Sequence, residues 1–253
     1  VRQVETASGE RMSYDKLVLA MGAKPRRLAA ADGMDGVFEL RHPDDAARLR
    51  AAAADASSAI VIGGGYIGLE VAATLAKSGK DVTVIEAAPR LLARVASPAI
   101  SAFFADLHAD AGTTVITDAG VEDIAADHGG FSHVTLSDGR QLSADMLVVG
   151  IGVTPETALA EAAGIETGNG ILVDAGMQTS MAGIYAIGDG ALQRDSAYGI
   201  RIESVHNAQD SAERAAAAIN GHAPPAVQAP WFWSEQFGLR LQSAGIVPAA
   251  ADD

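Results

Sequence analysis

A glycine-rich stretch at residues 63–68, Gly-Gly-Gly-Tyr-Ile-Gly, is the part of the sequence whose residue types and spacing point most directly to chemistry. It follows an apolar segment and opens a helical pattern, as a dinucleotide-binding turn does. Gly63 would allow the tight turn, Gly65 would let the backbone approach a pyrophosphate, and Gly68 would let the helix pack closely on a sheet. The helix N-terminus would present free N–H groups and a positive dipole end to the phosphates.

An acidic residue, Glu86, follows at about the 20-residue spacing expected for a ribose contact. Its carboxylate would accept hydrogen bonds from both ribose hydroxyls and would repel a 2′-phosphate, which predicts NAD(H) rather than NADP(H). The alternative is a glycine turn with a purely structural role. The predicted dinucleotide-binding residues are Gly63, Gly65, Tyr66, Ile67, Gly68 and Glu86.

A second candidate site is the apolar run that ends in Gly188-Asp189. If this run is a strand, it places a carboxylate at its carboxyl end, where open α/β sheets bind ligands. A carboxylate in that position suits a polyhydroxyl chain such as the ribitol of a flavin. The alternative is an aspartate that only stabilises a turn.

The elements that must position these residues follow from hydrophobic periodicity. Residues 58–62 and 82–85 are predicted strands, and Ile67, Val71 and Leu75 mark one face of a helix between them. Further strands are predicted at 17–20, 114–116, 121–125, 131–136, 146–149, 171–173 and 184–187, with a hairpin turn at 137–139 between two of them. Further helices are predicted at 43–53, 99–107, 155–163 and 208–219. The fold class is therefore α/β, a Rossmann-like NAD-binding domain with a parallel sheet and a β-meander.

The composition narrows the classes of partner. The chain has 253 residues, of which 49% are apolar and 20% charged, as in an ordinary soluble globular protein. A formal net charge of −14 disfavours nucleic acid and anionic membranes, because phosphate contacts need clustered Lys and Arg. The chain has no cysteine, no metal-like histidine spacing, no export leader and no apolar run that could span a bilayer. A cytoplasmic location is the default expectation.

Five segments together resemble the pyridine nucleotide-dependent flavoprotein reductases, and in particular their ferredoxin reductase branch. They are Tyr14–Gly22, Gly150–Pro155, Ile184–Asp189, Glu203–Ala208 and Pro230–Gln236. The usual Ala-Thr-Gly of that family reads Ala-Met-Gly at 20–22, and its Trp-Ser-Asp-Gln reads Trp-Ser-Glu-Gln at 233–236. The resemblance covers nearly the whole chain and implies FAD and NAD(H) as cofactors.

The resemblance also implies roles for single residues. The FAD contacts would be Ala20, Gly22, Gly188, Asp189, Val205 and Trp233, and Gly150, Gly152, Tyr66 and Glu70 would lie near the nicotinamide. Tyr66 has simple packing as its alternative, and Glu70 could be a solvated helix carboxylate. The helix that starts near His206 would point its N-terminus at the flavin pyrimidine, so His206 is either a proton donor or a bystander. Trp231 and Phe232 are expected to pack in the core.

A complete family member has two dinucleotide fingerprints, whereas this sequence has one and begins with Val1 rather than Met. The residues before Tyr14 are too few for a βαβ unit. We therefore expect the middle of a longer enzyme, with retained NADH binding and weak or absent FAD binding. The predicted domains are 1–30 and 154–222 for the FAD-binding remnants, 31–153 for NAD(H), and 223–253 for the start of a C-terminal interface domain.

The function implied by the resemblance is a flavin-dependent oxidoreductase. A hydride would pass from NADH to FAD, and single electrons would then pass to a ferredoxin-type iron–sulfur protein, the cofactors doing the redox chemistry. We predict no catalytic acid or base, no metal ligand and no particular oligomeric state. Two alternatives stay open, namely an NADH oxidase or disulfide reductase relative and a non-catalytic NADH-binding or sensing module.

Overall fold

The computed structural model describes residues 2–196 and 199–246. Within these ranges there are nineteen short strands, five α-helices and two 3-10 turns. The strands are β1 (Gln3–Glu5), β2 (Arg11–Ser13), β3 (Leu17–Leu19), β4 (Ala23–Pro25), β5 (Val37–Phe38), β6 (Ser58–Ile62), β7 (Asp81–Ile85), β8 (Thr114–Ile116), β9 (Val121–Asp127), β10 (Gly130–Leu136), β11 (Gln141–Ser143), β12 (Met146–Val149), β13 (Val153–Pro155), β14 (Thr167–Gly168), β15 (Gly170–Val173), β16 (Ile184–Ala186), β17 (Ala191–Gln193), β18 (Trp231–Gln236) and β19 (Leu239–Ala244). The α-helices are α1 (Pro43–Asp55), α2 (Tyr66–Lys77), α3 (Pro98–Asp110), α4 (Ala158–Ala162) and α5 (Val205–Ile219), and the 3-10 turns are Ala29–Ala31 and Gly188–Gly190.

These elements form two compact units. The first contains the described residues of 1–24, 154–232 and 243–245, and the second contains those of 25–153, 233–242 and 246–253. The segment predicted to start a separate C-terminal domain is thus shared between the two units, and its residues 247–253 lie outside the described ranges. The cofactor assigned to each unit from the sequence stays a prediction.

The second unit is built on a parallel sheet with the strand order β5-β12-β6-β7-β8. Helix α2 connects β6 to β7, and α3 connects β7 to β8, so the chain moves outward from β6 in one direction while β12 pairs with its other edge. Residues 59–62 of β6 and 146–149 of β12 are all buried, as expected for central strands covered on both faces. The order therefore reverses at β6, where doubly wound sheets bind ligands.

Alternate residues of β6 pack against different layers of this unit. Val61 lies in a cluster with Leu69 and other buried apolar residues of α1, α2 and α3. Ile60 lies in a second cluster with Ile124 and Val134 of the antiparallel meander β9-β10-β11. The meander thus covers the face of the sheet that a crossover helix would otherwise cover. The predicted α/β class, with a parallel sheet and a β-meander, is confirmed.

The first unit contains smaller sheets around a separate core. β3 pairs with β16 in parallel, and β15 pairs in parallel with β17 and antiparallel with β14. Leu19 of β3, Ile171 of β15 and Ala186 of β16 meet Ala215 of α5 in one buried cluster. Because β3 and β16 run in the same direction, the turns that follow them lie at the same edge.

Three sequence-based element predictions are wrong in detail. The turn at 137–139 joins β10 to β11, a strand that was not predicted, whereas the fully buried β12 belongs to the parallel sheet. The helix predicted at 155–163 is only α4, because Pro155 lies in β13. Helix α5 begins at Val205 rather than Ala208, since the Ser204 side chain caps it by accepting the Asn207 N–H at 3.1 Å.

Candidate functional site

The glycine-rich turn leaves β6 at its carboxyl end, in the middle of the parallel sheet. Gly63 has a φ of +109°, and a Cβ there would collide with the carbonyl oxygen of Gly150 at the end of β12. A Cβ at Gly68 would collide with the carbonyl oxygen of Gly63, so α2 lies very close to the turn. Apart from its chain neighbours, a Cβ at Gly65, the N-cap of α2, would meet no atom within 4 Å among the residues that the structure describes. The start of α2 is therefore open to a ligand that approaches the backbone.

Glu86 follows β7 and is hydrogen-bonded to this turn. Its Oε2 accepts the Gly64 N–H at 2.6 Å, and its Oε1 accepts the Ala88 N–H at 2.7 Å. The Gly64 carbonyl in turn accepts the N–H of Leu92 at 2.9 Å. A carboxylate offers about four lone-pair positions. Two are used by the backbone, which leaves two to accept hydrogen bonds from a diol such as a ribose.

The second predicted glycine turn, at Gly150 and Gly152, lies beside the first. The Gly150 N–H donates to the Ile62 carbonyl at 2.8 Å, which continues the pairing of β6 with β12 into the two turns. Gly152 has a φ of +98°, and a Cβ there would lie 3.3 Å from Nη2 of the exposed Arg94. Both glycine turns of this unit therefore meet at one edge of the sheet.

Helix α2 carries three further predicted site residues in its first two turns. Tyr66 is half-buried and packs against the cluster of Val61, and burial raises the pKa of its hydroxyl to about 12. Its hydroxyl therefore stays protonated at neutral pH. Ile67 is 46% exposed. Glu70 is partly buried and its Oε1 accepts a hydrogen bond from the Ser234 Oγ at 2.5 Å, so it is not a fully solvated carboxylate.

In the first unit, the residues of the two predicted flavin motifs meet. The turn 20–22 follows β3, and the turn Gly188–Gly190 follows β16. Gly22 and Gly188 each have a φ of +68°, and a Cβ at Gly190 would lie only 3.0 Å from the Gly22 carbonyl oxygen. The Gly188 N–H donates to the Ser211 Oγ of α5 at 3.0 Å. The tertiary structure thus brings the turn after β3 and the turn after β16 together at one edge of their sheet.

Arg201 holds the backbone of this second turn, and sequence analysis missed it. Its Nη1 donates to the carbonyl oxygen of Asp189 at 2.6 Å, and its Nε donates to the carbonyl oxygen of Asn169 at 3.1 Å. Its Nη2 also pairs with the Glu203 carboxylate at 2.6 Å, while the side chain is only 5% exposed. The one signal in the sequence was an arginine two positions before Glu203, just outside the segment 203–208 that resembles the family.

The N-terminus of α5 presents Val205, which is 57% exposed, next to the capping residue Ser204. His206 shares a hydrogen bond with the Oε1 of Gln228, with Nε2 at 3.1 Å from it. The His206 ring also meets the Trp231 ring edge-on, with 6.5 Å between their centres. These contacts give His206 local packing partners at the helix start.

The aromatic segment that follows is less buried than expected. Trp231 and Phe232, which were expected in the core, are both half-buried. Trp233 is 38% exposed, and the Arg240 guanidinium lies 5.8 Å from the centre of its ring. The alternation of exposure along β18 instead buries Ser234 and Gln236, each at 1%.

Comparison with known proteins identifies the family of this chain. The model of the pyridine nucleotide-disulphide oxidoreductases matches residues 1–212. The chain belongs to this family. The ferredoxin reductase subunit of a 5,5′-dehydrodivanillate O-demethylase from Sphingobium sp. is 45% identical over 249 residues, which cover 96% of this chain and 60% of that protein. Putidaredoxin reductase of Pseudomonas putida is 41% identical and is matched over 97% of this chain and 60% of its own length.

Solved structures of the same family agree. A ferredoxin reductase from Rhodopseudomonas palustris superposes with a TM-score of 0.92 at 43% identity, over 97% of this chain and 61% of that one. A covalent putidaredoxin reductase–putidaredoxin complex gives the same TM-score of 0.92 at 40% identity, over the same 97% and 61%. The resemblance to the ferredoxin reductase branch is confirmed. The chain spans about three fifths of the length of these oxidoreductases.

Two structural features are absent from the described residues. In residues 2–196 and 199–246 no helix has the length and apolar character needed to cross a membrane. The same residues contain no group of three or more His, Asp or Glu side chains arranged to hold a metal ion.

Proposed function

We propose that this chain is the NADH-binding part, and a portion of the FAD-binding part, of a flavin-dependent NADH:ferredoxin reductase. One observation carries the proposal: the Glu86 carboxylate is held by the Gly64 and Ala88 N–H groups beside the open start of α2. This arrangement pairs a phosphate-binding helix N-terminus with an acceptor for ribose hydroxyls. The second unit, which contains the predicted range 31–153, is accordingly proposed as the NAD(H)-binding domain.

The residues of this unit fit NADH rather than NADPH. Gly65 leaves room for the pyrophosphate at the start of α2, and Glu86 retains two acceptor positions for the ribose diol. A 2′-phosphate would meet the negative charge of the same carboxylate at close range, which is unfavourable. Gly150, Gly152, Tyr66 and Glu70 are proposed to line the nicotinamide side.

The residues of the other unit fit FAD. Asp189 ends the turn after β16 as an acceptor for ribitol hydroxyls, and Ala20, Gly22 and Gly188 bring the backbone close. The N-terminus of α5, at Val205, would stabilise negative charge on a reduced flavin. Trp233 belongs to the second unit, and its role as an aromatic neighbour of the isoalloxazine stays what the family resemblance implies. When bound, FAD supplies the conversion of a two-electron hydride donor into single electrons.

The electron acceptor is proposed from the relatives. The Sphingobium protein is named a ferredoxin reductase subunit and the Pseudomonas protein a putidaredoxin reductase, and one of the similar solved structures is a covalent putidaredoxin reductase–putidaredoxin complex. A ferredoxin-type iron–sulfur protein is the corresponding partner for the whole enzyme that contains this chain. A cytoplasmic location is part of the proposal, since the NADH to be consumed is an intracellular cofactor.

Two experiments test the proposal. Isothermal calorimetry on this chain should show NADH binding tighter than NADPH binding, and tighter NADPH binding or no NADH binding refutes the nucleotide assignment. Stopped-flow reduction of the full-length protein by NADH, with and without a ferredoxin, tests the transfer. Fast flavin reduction without electron transfer to any ferredoxin would refute the partner assignment and favour an NADH oxidase or an NADH sensor.

A further inference from the structure

Strand β18 carries two buried polar side chains that connect to helices α2 and α3 within the second unit. The Ser234 Oγ donates to the Glu70 Oε1 at 2.5 Å and accepts the Gln236 Nε2–H at 3.1 Å. The Gln236 Oε1 lies 2.8 Å from the Nε2 of His108, which is completely buried. Four polar side chains from three elements therefore form one continuous line of hydrogen bonds.

The line has a direction that follows from the donors and acceptors available. An amide oxygen only accepts, so the Nε2 of His108 carries the hydrogen that points at Gln236. The Gln236 N–H occupies a lone pair of Ser234, and the Ser234 hydrogen is directed at Glu70. Burial lowers the pKa of His108, in agreement with a neutral ring at this end. Every donor points toward the Glu70 carboxylate.

Glu70 lies one turn after Tyr66, on helix α2, whose N-cap is Gly65. Side chains of helical residues lean toward the helix N-terminus, so the Glu70 carboxylate extends over the first turn of α2. Within the described residues, Ser234 is the one side chain that bonds this carboxylate, and no partner of its Oε2 is found among them. Oε2 is thus an acceptor beside the helix start where the dinucleotide is proposed to bind.

We propose that Ser234 is a positioning residue, which orients Glu70 so that its Oε2 accepts the carboxamide N–H of the nicotinamide. The inference rests on the proposed NADH site. A helix glutamate without a partner samples several rotamers, and a ligand must select one of them. The hydrogen bond from a buried serine selects that rotamer in advance, so less conformational freedom is lost on binding.

A double-mutant cycle tests this role on the whole chain, with NADH dissociation constants measured by calorimetry. S234A should weaken NADH binding about three- to tenfold, the value of one modest hydrogen bond. E70A should weaken it at least as much. Because Ser234 acts through Glu70, the double variant should bind NADH as E70A does. S234T keeps the hydroxyl and should restore most of the affinity.

Ser58 offers a matched control in the same unit. Its Oγ donates to the Asp145 Oδ2 at 3.0 Å, at the amino end of β6 and so at the end of the strand away from Gly63. S58A therefore removes the same kind of hydroxyl–carboxylate bond. It should lower the thermal midpoint while the NADH dissociation constant stays unchanged.

The outcomes separate this inference from the function on which it rests. If the unmodified chain does not bind NADH, the proposed function fails and the inference falls with it. If that chain binds NADH but S234A binds equally well, or weakens E70A further, only the positioning role is overturned. Should S234A not fold, S234C keeps the side-chain volume with a weaker donor. It should show a partial loss, and undiminished NADH affinity would overturn the role.

Discussion

Replacing Glu86 with glutamine is the most direct perturbation of the proposed NADH site. The carboxylate uses one oxygen for the Gly64 N–H at 2.6 Å and the other for the Ala88 N–H at 2.7 Å. A glutamine amide has a single oxygen, and its NH2 group cannot accept. One of the two backbone N–H groups therefore loses its partner, and the acceptor capacity left for the ribose diol falls.

The expected loss of NADH affinity follows from the hydrogen bonds that Glu86 makes. A hydrogen bond to a charged acceptor contributes about 1.5–3 kcal/mol, so losing one of the two ribose bonds weakens NADH binding about tenfold or more. For NADPH the same substitution removes the repulsion between the Glu86 carboxylate and the 2′-phosphate. Two unit charges about 4 Å apart near a protein surface repel by up to about 4 kcal/mol, so relief of even part of this offsets the lost bond. The ratio of the NADPH to the NADH dissociation constant should fall at least about tenfold.

Calorimetric titration of Glu86→Gln with both nucleotides measures this ratio. Asp145→Asn is the matched control, because Asp145 Oδ2 accepts the Ser57 and Ser58 N–H groups at 2.8 and 2.9 Å at the opposite end of β6. The control should lower the free energy of unfolding and leave both dissociation constants unchanged. An unchanged ratio in Glu86→Gln would refute the assignment of Glu86 to the ribose. Glu86→Arg should go further and favour NADPH.

Three other perturbations follow from the structure. Gly63→Ala should lower the free energy of unfolding by about 2 kcal/mol or more in urea titrations, because φ at this position is +109° and the added Cβ would meet the Gly150 carbonyl oxygen. A variant as stable as the unmodified chain would contradict the close approach of the two turns. Burial lowers the pKa of His108, so below about pH 6.5 the unfolded chain takes up a proton that the folded chain refuses. The free energy of unfolding should therefore fall as the pH drops below that value, and His108→Gln should flatten the slope; an equal slope would rule out this residue as its source. Arg201→Ala should weaken FAD binding by the full-length protein in flavin titrations, because the Asp189 carbonyl oxygen loses its buried hydrogen-bond donor. Undiminished FAD binding would show that the turn keeps its conformation without Arg201.

Local features of the chain were predictable because their causes are local. The strand–helix–strand unit around 63–68 was predicted with nearly correct bounds, since β6, α2 and β7 each carry a complete hydrophobic period between glycines. The three-residue strand β11 was missed, because Gln141-Leu142-Ser143 is too short to show a period and forms only by pairing with β10. Hydrophobic periodicity placed the start of α5 too late, at Ala208, because its capping serine was not weighed, whereas the family resemblance implied a start near His206.

The residues of the candidate sites likewise divide into those that a local sequence pattern predicts and those that depend on contacts between distant segments. The position of Glu86 beside the glycine turn was predictable because its distance from the glycines in sequence reflects a single βαβ unit, and its ribose contact stays a prediction. Arg201 was not, because its role depends on reaching the carbonyl oxygens of Asn169 and Asp189, and no pattern marks a donor to a backbone atom. Ser234 was seen only as part of a family motif.

The sequence by itself determined the glycine-rich turn between β6 and α2 and the family, and it predicted a preference for NADH. These depend on residue types at short, fixed spacings, which the geometry of a strand and a helix converts directly into positions. Only the tertiary structure decided which side chains support that turn. Glu70 and Ser234 are 164 residues apart in the chain and meet through the packing of β18 on α2. Such a contact depends on the burial of many apolar residues at once, so it cannot be predicted from the spacing of residues within one segment.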